Sequence, residues 1–229
     1  MISVVIPTLN AEGTLAQTLA ALVPAAVDGL VREVVVVDGG SSDGTLQIVD
    51  SAGAELLHRS GGRGPQLAAG AERARGPWLL FLHADTVLEP GWERDASQFL
   101  ERVDMEQRSP AAGAFRFALD DEGIKPRLLE WLVALRSSVL KLPYGDQGLL
   151  ISKRLYDEIG GYRPLQIMED VDIVRRLGRR RTVLLRSCAV TSAERFRREG
   201  YVRRSSRNLL CLTLYMLHVS PNVIKRMYG

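Results

Sequence analysis

Two apolar runs, each followed by an acidic residue, constrain the fold of this chain more than any other feature. Residues 33–38 read EVVVVD and lead into GGSSDGT, and residues 78–82 read WLLFL and lead into HAD. Apolar runs of this length that end in Gly or Asp are typical of parallel strands buried on both faces. Ligands of open α/β sheets bind just outside the carboxyl ends of such strands, so we expect Asp38 and Asp85 at a binding site. Carboxylates there suit hydroxyl groups and hard cations, which indicates a nucleotide held through its ribose and, by way of a metal ion, through its phosphates.

The chain up to about residue 110 alternates between strand and helix patterns. We predict strands at 2–7, 33–38, 54–58 and 78–82, and helices at 12–23, 44–52, 65–75 and 91–103. This alternation predicts an α/β protein with a mostly parallel sheet and helices on both faces. Beyond it we predict strands at 113–119, 149–152 and 183–190, and helices at 127–142, 153–159, 169–178 and, broken near Pro221, 199–228. Trp78 and Trp131 are both expected in the core.

Composition and cysteine content restrict the class of protein. At 229 residues with 46% hydrophobic content, the chain is long enough for one large α/β domain. Its two cysteines lie far apart without a CxxC pair, which favours a reducing, cytoplasmic setting. The sequence opens directly on a predicted strand, without the basic and apolar regions of a signal peptide.

Charge is distributed unevenly along the chain. Residues 173–229 hold 14 Lys or Arg and 2 Asp or Glu, whereas the preceding 172 residues hold 16 and 25. Two interpretations stay open, namely an anionic partner such as a diphosphate or an anionic lipid, and a solvated helical face. We expect no nucleic-acid partner.

The C-terminal segment contains an apolar stretch, residues 209–217, that is too short to span a bilayer. Because basic residues flank it, peripheral contact of residues 203–226 with the inner face of a membrane is one interpretation. A homodimer contact and packing on the domain are the others, and packing is preferred. We therefore predict a domain at 1–192 and a helical extension at 193–229 packed on it.

The loop after the first strand excludes two common nucleotide folds. Residues 7–12 read PTLNAE and contain no glycine that would let backbone approach a pyrophosphate, which disfavours NAD and FAD. The chain also lacks a Walker loop, which removes P-loop kinases and ATPases.

Four motifs resemble those of glycosyltransferase family 2 in order and spacing: IPTLN at 6–10, VDGGSSDGT at 37–45, HAD at 83–85 and EDVD at 169–172. Three further segments resemble a bacterial subgroup often labelled arsenosugar-biosynthesis-type glycosyltransferases: GRGPQ at 62–66, YGDQG at 144–148 and TSAERF at 191–196. The resemblance implies a GT-A fold, Rossmann-like, with a mostly parallel central sheet flanked by helices and a helical C-terminal tail. It also implies a nucleotide-diphosphate sugar donor, UDP-linked at family level, Mg²⁺ or Mn²⁺ as cofactor, and inverting transfer by direct displacement to an unknown hydroxyl acceptor.

The same resemblance implies roles for individual residues. The residues expected to bind the donor nucleotide are Pro7, Thr8, Asn10, Asp38, Arg63, His83, Ala84 and Asp85. Asp85 would bind the metal, whereas His83 stands where the family motif begins with Asp. A neutral His83 would accept a hydrogen bond from a ribose hydroxyl or bind the metal itself. Arg195, Arg197 and Arg198 are expected near the diphosphate.

The acceptor hydroxyl must lose a proton as it attacks, so the reaction needs a carboxylate base. Asp170 opens a predicted helix, and a helix N-terminus favours the ionised carboxylate. Asp170 is therefore the predicted base, with Glu169 and Asp172 in reserve. Asp146, Gln147 and Asp172 are expected at the acceptor or sugar, although the loop of the first two also fits an ordinary turn and Asp172 also fits a helix cap.

Two other functions compete with this interpretation. A sugar nucleotidyltransferase would normally carry a loop rich in glycine and in Lys or Arg after its first strand, and residues 8–12 lack one. A non-catalytic nucleotide-sugar-binding protein is supported only by His83, since Asp38, Asp85 and Asp170 are all present.

Overall fold

The computed structural model describes residues 1–105, 109–139 and 143–228, and a single eight-stranded sheet forms its centre. The strands are β1 (Ile2–Thr8), β2 (Val31–Asp38), β3 (Glu55–His58), β4 (Trp78–Phe81), β5 (Thr86–Leu88), β6 (Ala112–Leu119), β7 (Leu149–Ser152) and β8 (Thr182–Thr191). Their order is β3-β2-β1-β4-β7-β6-β8-β5. The first four strands in this order are parallel, β7 runs antiparallel to β4 and β6, β8 runs parallel to β6, and β5 runs antiparallel to β8. The prediction of an α/β fold with a mostly parallel sheet is confirmed.

The helices are α1 (Leu15–Ala20), α2 (Val23–Val27), α3 (Thr45–Ser51), α4 (Arg63–Arg73), α5 (Trp92–Asp104), α6 (Ile124–Val139), α7 (Lys153–Glu158), α8 (Glu169–Leu177), α9 (Glu194–Glu199), α10 (Tyr201–Met216) and α11 (Pro221–Tyr228). Short 3₁₀ turns lie at Gly145–Gln147 and Arg179–Arg181.

The parallel half of the sheet is buried on both faces. Successive residues of each strand point to opposite sides, and each side meets an apolar cluster. Along β1, Val4 and Ile6 join one apolar cluster and Val5 joins the other. Helix α4 covers the second face at close range, since any side chain at Gly70 would overlap the side chain of Val5. The uninterrupted apolar runs that predicted buried strands follow from this double cover.

Some predicted elements differ from the structure. The helix predicted at 12–23 is two helices, because Pro24 begins a new one in the first turn of α2. Strand β5 has only three residues and was not predicted. The helix predicted at 127–142 begins earlier, at Ile124, and residues 140–142 lie outside the described residues.

Helix α6 differs from the prediction in its exposure. Trp78 is buried as expected, but Trp131 is 60% exposed, so its assignment to the core is wrong. The apolar residues of α6 lie on more than one side of the helix, and only part of that surface meets the sheet.

The C-terminal helices pack against the segment around the start of α8. Cys211 of α10 and Ile224 of α11 are fully buried in a cluster with Ile167, Met168 and Val171. No described helix combines the length and the hydropathy needed to cross a membrane. The division of the chain at residue 192 stays a prediction.

Candidate active site

The carboxyl ends of β1 and β2 meet at Thr8 and Asp38, which are paired in the sheet register. The Thr8 hydroxyl donates a hydrogen bond to Asp38 Oδ1 over 3.1 Å. Behind this pair, the buried amide of Gln66 donates from Nε2 to the carbonyl oxygens of Thr8 and Val37, at 2.9 and 2.8 Å. Gln66 therefore ties the two strand ends together, a role that its position in the GRGPQ segment did not predict.

The Asp38 carboxylate organises the loop that follows β2. Its Oδ2 accepts hydrogen bonds from the amides of Gly40 and Ser41 at 2.8 and 2.9 Å, and its Oδ1 accepts from the Ser41 hydroxyl. Burial raises the pKa of Asp38, but the hydrogen bonds from Ser41, Gly40 and Thr8 outweigh it and hold the pKa below its ordinary value. With four donors already bound, the carboxylate has no acceptor position left for a ribose or base. Its predicted contact with the nucleotide would require one of these bonds to open.

Asn10 joins the loop after β1 to the loop after β2. Its backbone adopts the left-handed conformation (φ 51°). Its backbone N–H donates to Ser41 Oγ at 2.8 Å, and its side-chain Oδ1 accepts from the backbone N–H of Ser42 at 2.9 Å. Pro7 is buried inside β1 opposite Val37. These contacts account for both residues structurally, and their nucleotide contacts stay predictions.

A polar cavity of about 130 Å³ lies beyond the end of β4. The charged and ionisable groups on its wall come from six separate parts of the chain: Arg63, His83, Asp85, Tyr144, Asp146, Asp170, Arg195 and Arg204. The fold thus brings the HAD and EDVD motifs to one cavity. Ala84, between the two cavity residues of HAD, contributes a carbonyl that accepts from the Thr18 hydroxyl at 3.0 Å.

Asp170 is held at the start of α8 by two backbone amides. Oδ2 accepts from the amide of Gly145 at 2.9 Å, and Oδ1 accepts from the amide of Val171 at 2.8 Å. Met168, just before the helix, has a left-handed backbone (φ 65°) that turns the chain into α8. The carboxylate therefore has a defined position, and each oxygen keeps acceptor capacity for a ligand.

His83 is neutral in this environment. Burial lowers its pKa to about 4, and the positive charges of Arg63 and Arg195 act in the same direction, against the carboxylates of Asp85 and Asp170. Gly145 packs on the imidazole so closely that an added Cβ would lie 2.6 Å from His83 Nε2. Only glycine fits at 145, so the YGDQG segment closes directly over the HAD motif.

The pKa of Asp146 is shifted upward, whereas that of Asp38 is shifted downward. Burial raises the pKa of Asp146 to about 6, with Asp170 and Asp85 adding to the rise and Arg136 opposing it. Its Oδ1 is buried and has no hydrogen-bond partner among the described residues. A carboxylate in this condition has acceptor capacity that a ligand can use.

Glu169 lies beside the cavity without lining it. Its carboxylate is fully buried and forms an ion pair with Arg63, Oε1 to Nε 2.8 Å. Burial raises the pKa of Glu169 to about 7, with Arg63 lowering it and Asp170 raising it. The geometry favours Glu169 as the residue that positions Arg63 at the cavity, and not as a reserve base.

Two residues predicted at the acceptor or sugar have other partners. The Gln147 amide donates to the carbonyl of Phe115 at 2.9 Å and accepts from the hydroxyl of Ser137 at 3.0 Å. Asp172 pairs with Arg176 at 2.6 Å and with Arg163 at 3.3 Å. Neither side chain lines the cavity, and both are buried in these contacts, so the geometry favours structural roles.

Among the arginines expected near the diphosphate, Arg195 lines the cavity. Arg197 instead donates to the carbonyl of Asp120 at 2.9 Å and lies 3.6 Å from the carboxylate of Asp121. Arg204 and Asn208, both on α10, are polar cavity residues that were not predicted. The basic, apolar pattern of that helix carried no signal for a site residue.

The family of the chain follows from the match of residues 3–164 to the family model described as glycosyl transferase family 2. The chain belongs to glycosyltransferase family 2. Its sheet with helices on both faces is the GT-A-like α/β fold of that family's solved members.

Curated glycosyltransferases match parts of the chain. It is 39% identical over 101 residues to a PGL/p-HBAD biosynthesis glycosyltransferase of Mycobacterium bovis, covering 38% of this chain and 36% of that protein. It is 32% identical over 106 residues to the poly(ribitol-phosphate) beta-N-acetylglucosaminyltransferase TarS of Staphylococcus aureus, covering 43% and 18%. The matched stretches thus span about a third of the mycobacterial relative and less than a fifth of TarS.

Solved structures show the fold over nearly the whole chain. S. aureus TarS 1–349 superimposes with a TM-score of 0.65 at 18% identity, covering 99% of this chain and 69% of that one. Glucosyl-3-phosphoglycerate synthase from Mycobacterium tuberculosis, solved with Mn²⁺ and UDP-glucose, superimposes with a TM-score of 0.63 at 22% identity, covering 96% and 80%.

Few side chains in the described residues of this family 2 chain are placed to ligate a divalent metal. The described residues contain no group of three or more His, Cys, Asp or Glu side chains arranged to hold a metal ion. Asp85 and His83 nevertheless line one cavity. Mg²⁺ is usually held by one or two carboxylates together with substrate phosphates, so these residues fit a metal that arrives with the donor.

Proposed function

We propose that this chain is a glycosyltransferase that moves a sugar from a nucleotide-diphosphate sugar to a hydroxyl group of an acceptor, with inversion at the anomeric carbon. The observation that carries the proposal is the convergence of Asp85 and Asp170, 85 positions apart, on one cavity beyond the carboxyl edge of the sheet. One carboxylate there is available for a metal and the other for a proton. Arg63 and Arg195 on the same wall supply positive charge for a diphosphate.

The proposed donor is a UDP-sugar. TarS has been solved with UDP-GlcNAc, and glucosyl-3-phosphoglycerate synthase with UDP-glucose and Mn²⁺, and both share the fold of this chain. We assign Asp85, with neutral His83 beside it, to hold Mg²⁺ or Mn²⁺ together with the donor phosphates. A divalent ion held there would stabilise the negative charge that gathers on the leaving diphosphate.

Asp170 is the proposed general base. It takes the proton of the acceptor hydroxyl as the acceptor oxygen forms a bond to the anomeric carbon. The bond from that carbon to the diphosphate oxygen breaks, and the nucleoside diphosphate leaves with the electron pair. Two backbone amide donors, at the start of α8, hold the Asp170 carboxylate in place for this step.

The remaining assignments stay predictions. They are membership of the arsenosugar-type subgroup, cytoplasmic localisation, a homodimer, and peripheral membrane contact through residues 203–226.

A thermal-shift screen of UDP, GDP, dTDP and CDP, each with and without Mn²⁺, tests the donor site. We expect one diphosphate, UDP, to raise the melting temperature in a metal-dependent way, because a ligand stabilises only the state that binds it. Asp85→Asn should lose the metal-dependent part, while Asp157→Asn, an exposed carboxylate on α7, should retain it.

Two results would contradict the proposal. The absence of any shift would favour a protein without a competent donor site. Release of pyrophosphate from a nucleoside triphosphate and a sugar 1-phosphate would identify a nucleotidyltransferase instead.

A further inference from the structure

A second cavity, the α6–α10 groove, lies next to the candidate active site. It has a volume of about 570 Å³ and lies between helices α6 and α10. Its walls are mainly apolar, with Leu132 and Leu135 from α6 and Leu209 and Leu212 from α10. Leu132, Leu135 and Leu209 are 48%, 47% and 64% exposed, and further exposed apolar side chains lie on the same two helices.

The groove is continuous with the polar cavity. Residues that line both are Phe117, Tyr144, Asp146, Phe196, Asn208 and Leu212. A molecule lying along the groove therefore ends at the wall that carries Asp146 and, beyond it, Asp170.

Unpartnered polar atoms mark the junction of the two cavities. Asp146 Oδ1 and Asn208 Oδ1 are buried, and neither has a hydrogen-bond partner among the described residues. Buried oxygens of this kind are normally satisfied, so two at one junction point to donors that a ligand brings. Ligand sites typically combine apolar walls with a few convergent polar groups in this way.

We infer that the acceptor is amphiphilic, with a hydroxyl-bearing head at Asp146 and Asn208 and an aliphatic chain in the α6–α10 groove. This inference rests on the proposed function, since it names the substrate class of the same site. A fully polar acceptor gains nothing from apolar walls. A second copy of the chain or a membrane surface would cover the outer faces of α6 and α10 without reaching the two buried oxygens.

The pair n-octyl β-D-glucoside and methyl β-D-glucoside tests the inference, because the two probes share a head and differ only in the chain. Titration calorimetry below the micelle concentration should detect binding of the octyl compound and at least tenfold weaker binding of the methyl compound. Leu209→Gln should weaken octyl binding about tenfold, since it removes one apolar wall of the groove. Leu210→Gln, an adjacent residue on α10 that is 46% exposed but outside the groove, should leave binding unchanged.

Several outcomes would overturn the inference. Equal binding of the two glucosides would do so, as would equal effects of the two glutamine variants, because both indicate nonspecific adsorption. Conversion of a dimer to a monomer by Leu209→Gln alone, seen by light scattering, would assign the groove to a second copy. Loss of vesicle binding by Leu209→Gln, without a change in octyl binding, would assign it to a membrane.

The thermal shift with UDP and Mn²⁺, measured on the same variants, separates this inference from the proposed function. A retained shift without groove-specific octyl binding overturns only the amphiphilic acceptor. Absence of a shift from the unmodified protein with UDP, GDP, dTDP and CDP alike overturns the transferase itself, and with it the acceptor.

Discussion

The two sides of the site differ in how completely their polar groups are satisfied. At the ends of β1 and β2, the Asp38 carboxylate accepts four hydrogen bonds and Gln66 bridges two strand-end carbonyls. Around the 3₁₀ turn at Gly145–Gln147 and helix α10, the buried Oδ1 atoms of Asp146 and Asn208 have no hydrogen-bond partner among the described residues. Neighbouring leucines there are exposed.

The difference indicates which side keeps its geometry without a ligand and which side needs a ligand to satisfy its polar groups. A saturated network fixes the loops after β1 and β2 whether or not a nucleotide is present. An unsaturated, partly apolar region is unfavourable by itself and becomes favourable when a ligand supplies donors and apolar surface. Substitutions on the first side should therefore lower the stability, whereas those on the second should change ligand binding and activity without lowering the stability.

The largest expected effect is on turnover. Asp170→Asn should lower the rate of donor hydrolysis or sugar transfer by about 10²–10⁴-fold, because the amide cannot accept the acceptor proton. The metal-dependent thermal shift with UDP should persist, since the base does not hold the donor. Asp157→Asn serves as the control, and a turnover within tenfold of the unmodified protein would remove Asp170 from the role of base.

The next effect is on the free energy of unfolding. Gln66→Leu leaves the carbonyls of Thr8 and Val37 buried without a donor, which should lower the stability by roughly 3 kcal/mol. Gln47→Leu, on the exposed surface of α3, should change it by less than about 0.5 kcal/mol. Urea unfolding compares the two, and similar small losses in both would contradict the bridging role of Gln66.

Asp38→Asn should lower the stability by about 2 kcal/mol at pH 7, because it weakens hydrogen bonds to an ionised acceptor. The folded-state pKa of Asp38 is below its ordinary value, so its contribution is present above about pH 4 and is lost as the pH falls through the folded pKa. Urea unfolding from pH 7 to pH 3 should show the difference from the unmodified protein shrinking. A constant difference would mean that ionisation of Asp38 does not support the loop.

The smallest expected effect is an increase in stability, opposite in sign to the two stability effects above. The folded-state pKa of Asp146 is raised to about 6, so ionisation destabilises the folded chain progressively as the pH rises from about 4 to above 6. Asp146→Asn should therefore raise the stability by about 1 kcal/mol at pH 8 and leave it unchanged near pH 3.5. Melting temperatures across this range check the sign, and a loss at pH 8 would show that the two sides do not differ as described.

Secondary structure followed the local pattern wherever an element was long and periodic. The buried strands β1, β2 and β4 were predictable because apolar runs of this kind suit few other environments. Strand β5 was not, because three residues carry no period, and it forms through its pairing with β8. The exposure of Trp131 was also not predicted, since an apolar helix residue has the same local pattern whether it packs on a sheet or faces solvent.

The candidate site was predictable in its acidic residues and less so in their partners. Asp85 and Asp170 were found through motif and position, and both line the cavity. Glu169, Gln147 and Asp172 sit within the same motifs, yet their side chains turn to Arg63, Phe115 and Arg176. Asn208 and Arg204 lie in a helix more than thirty positions from EDVD, where spacing gives no information about contact.

By itself, the sequence determined the class of fold, the family, and the edge of the sheet at which the candidate site lies, because strand burial and strand-end chemistry are local properties. The tertiary structure alone decided which carboxylates share a cavity, which are neutralised by arginine, and which pKa values rise or fall. Those properties depend on distance and burial between segments far apart in the chain, which local patterns do not encode. The apolar groove beside the site belongs to the same class, since it exists only because α6 and α10 line the same space.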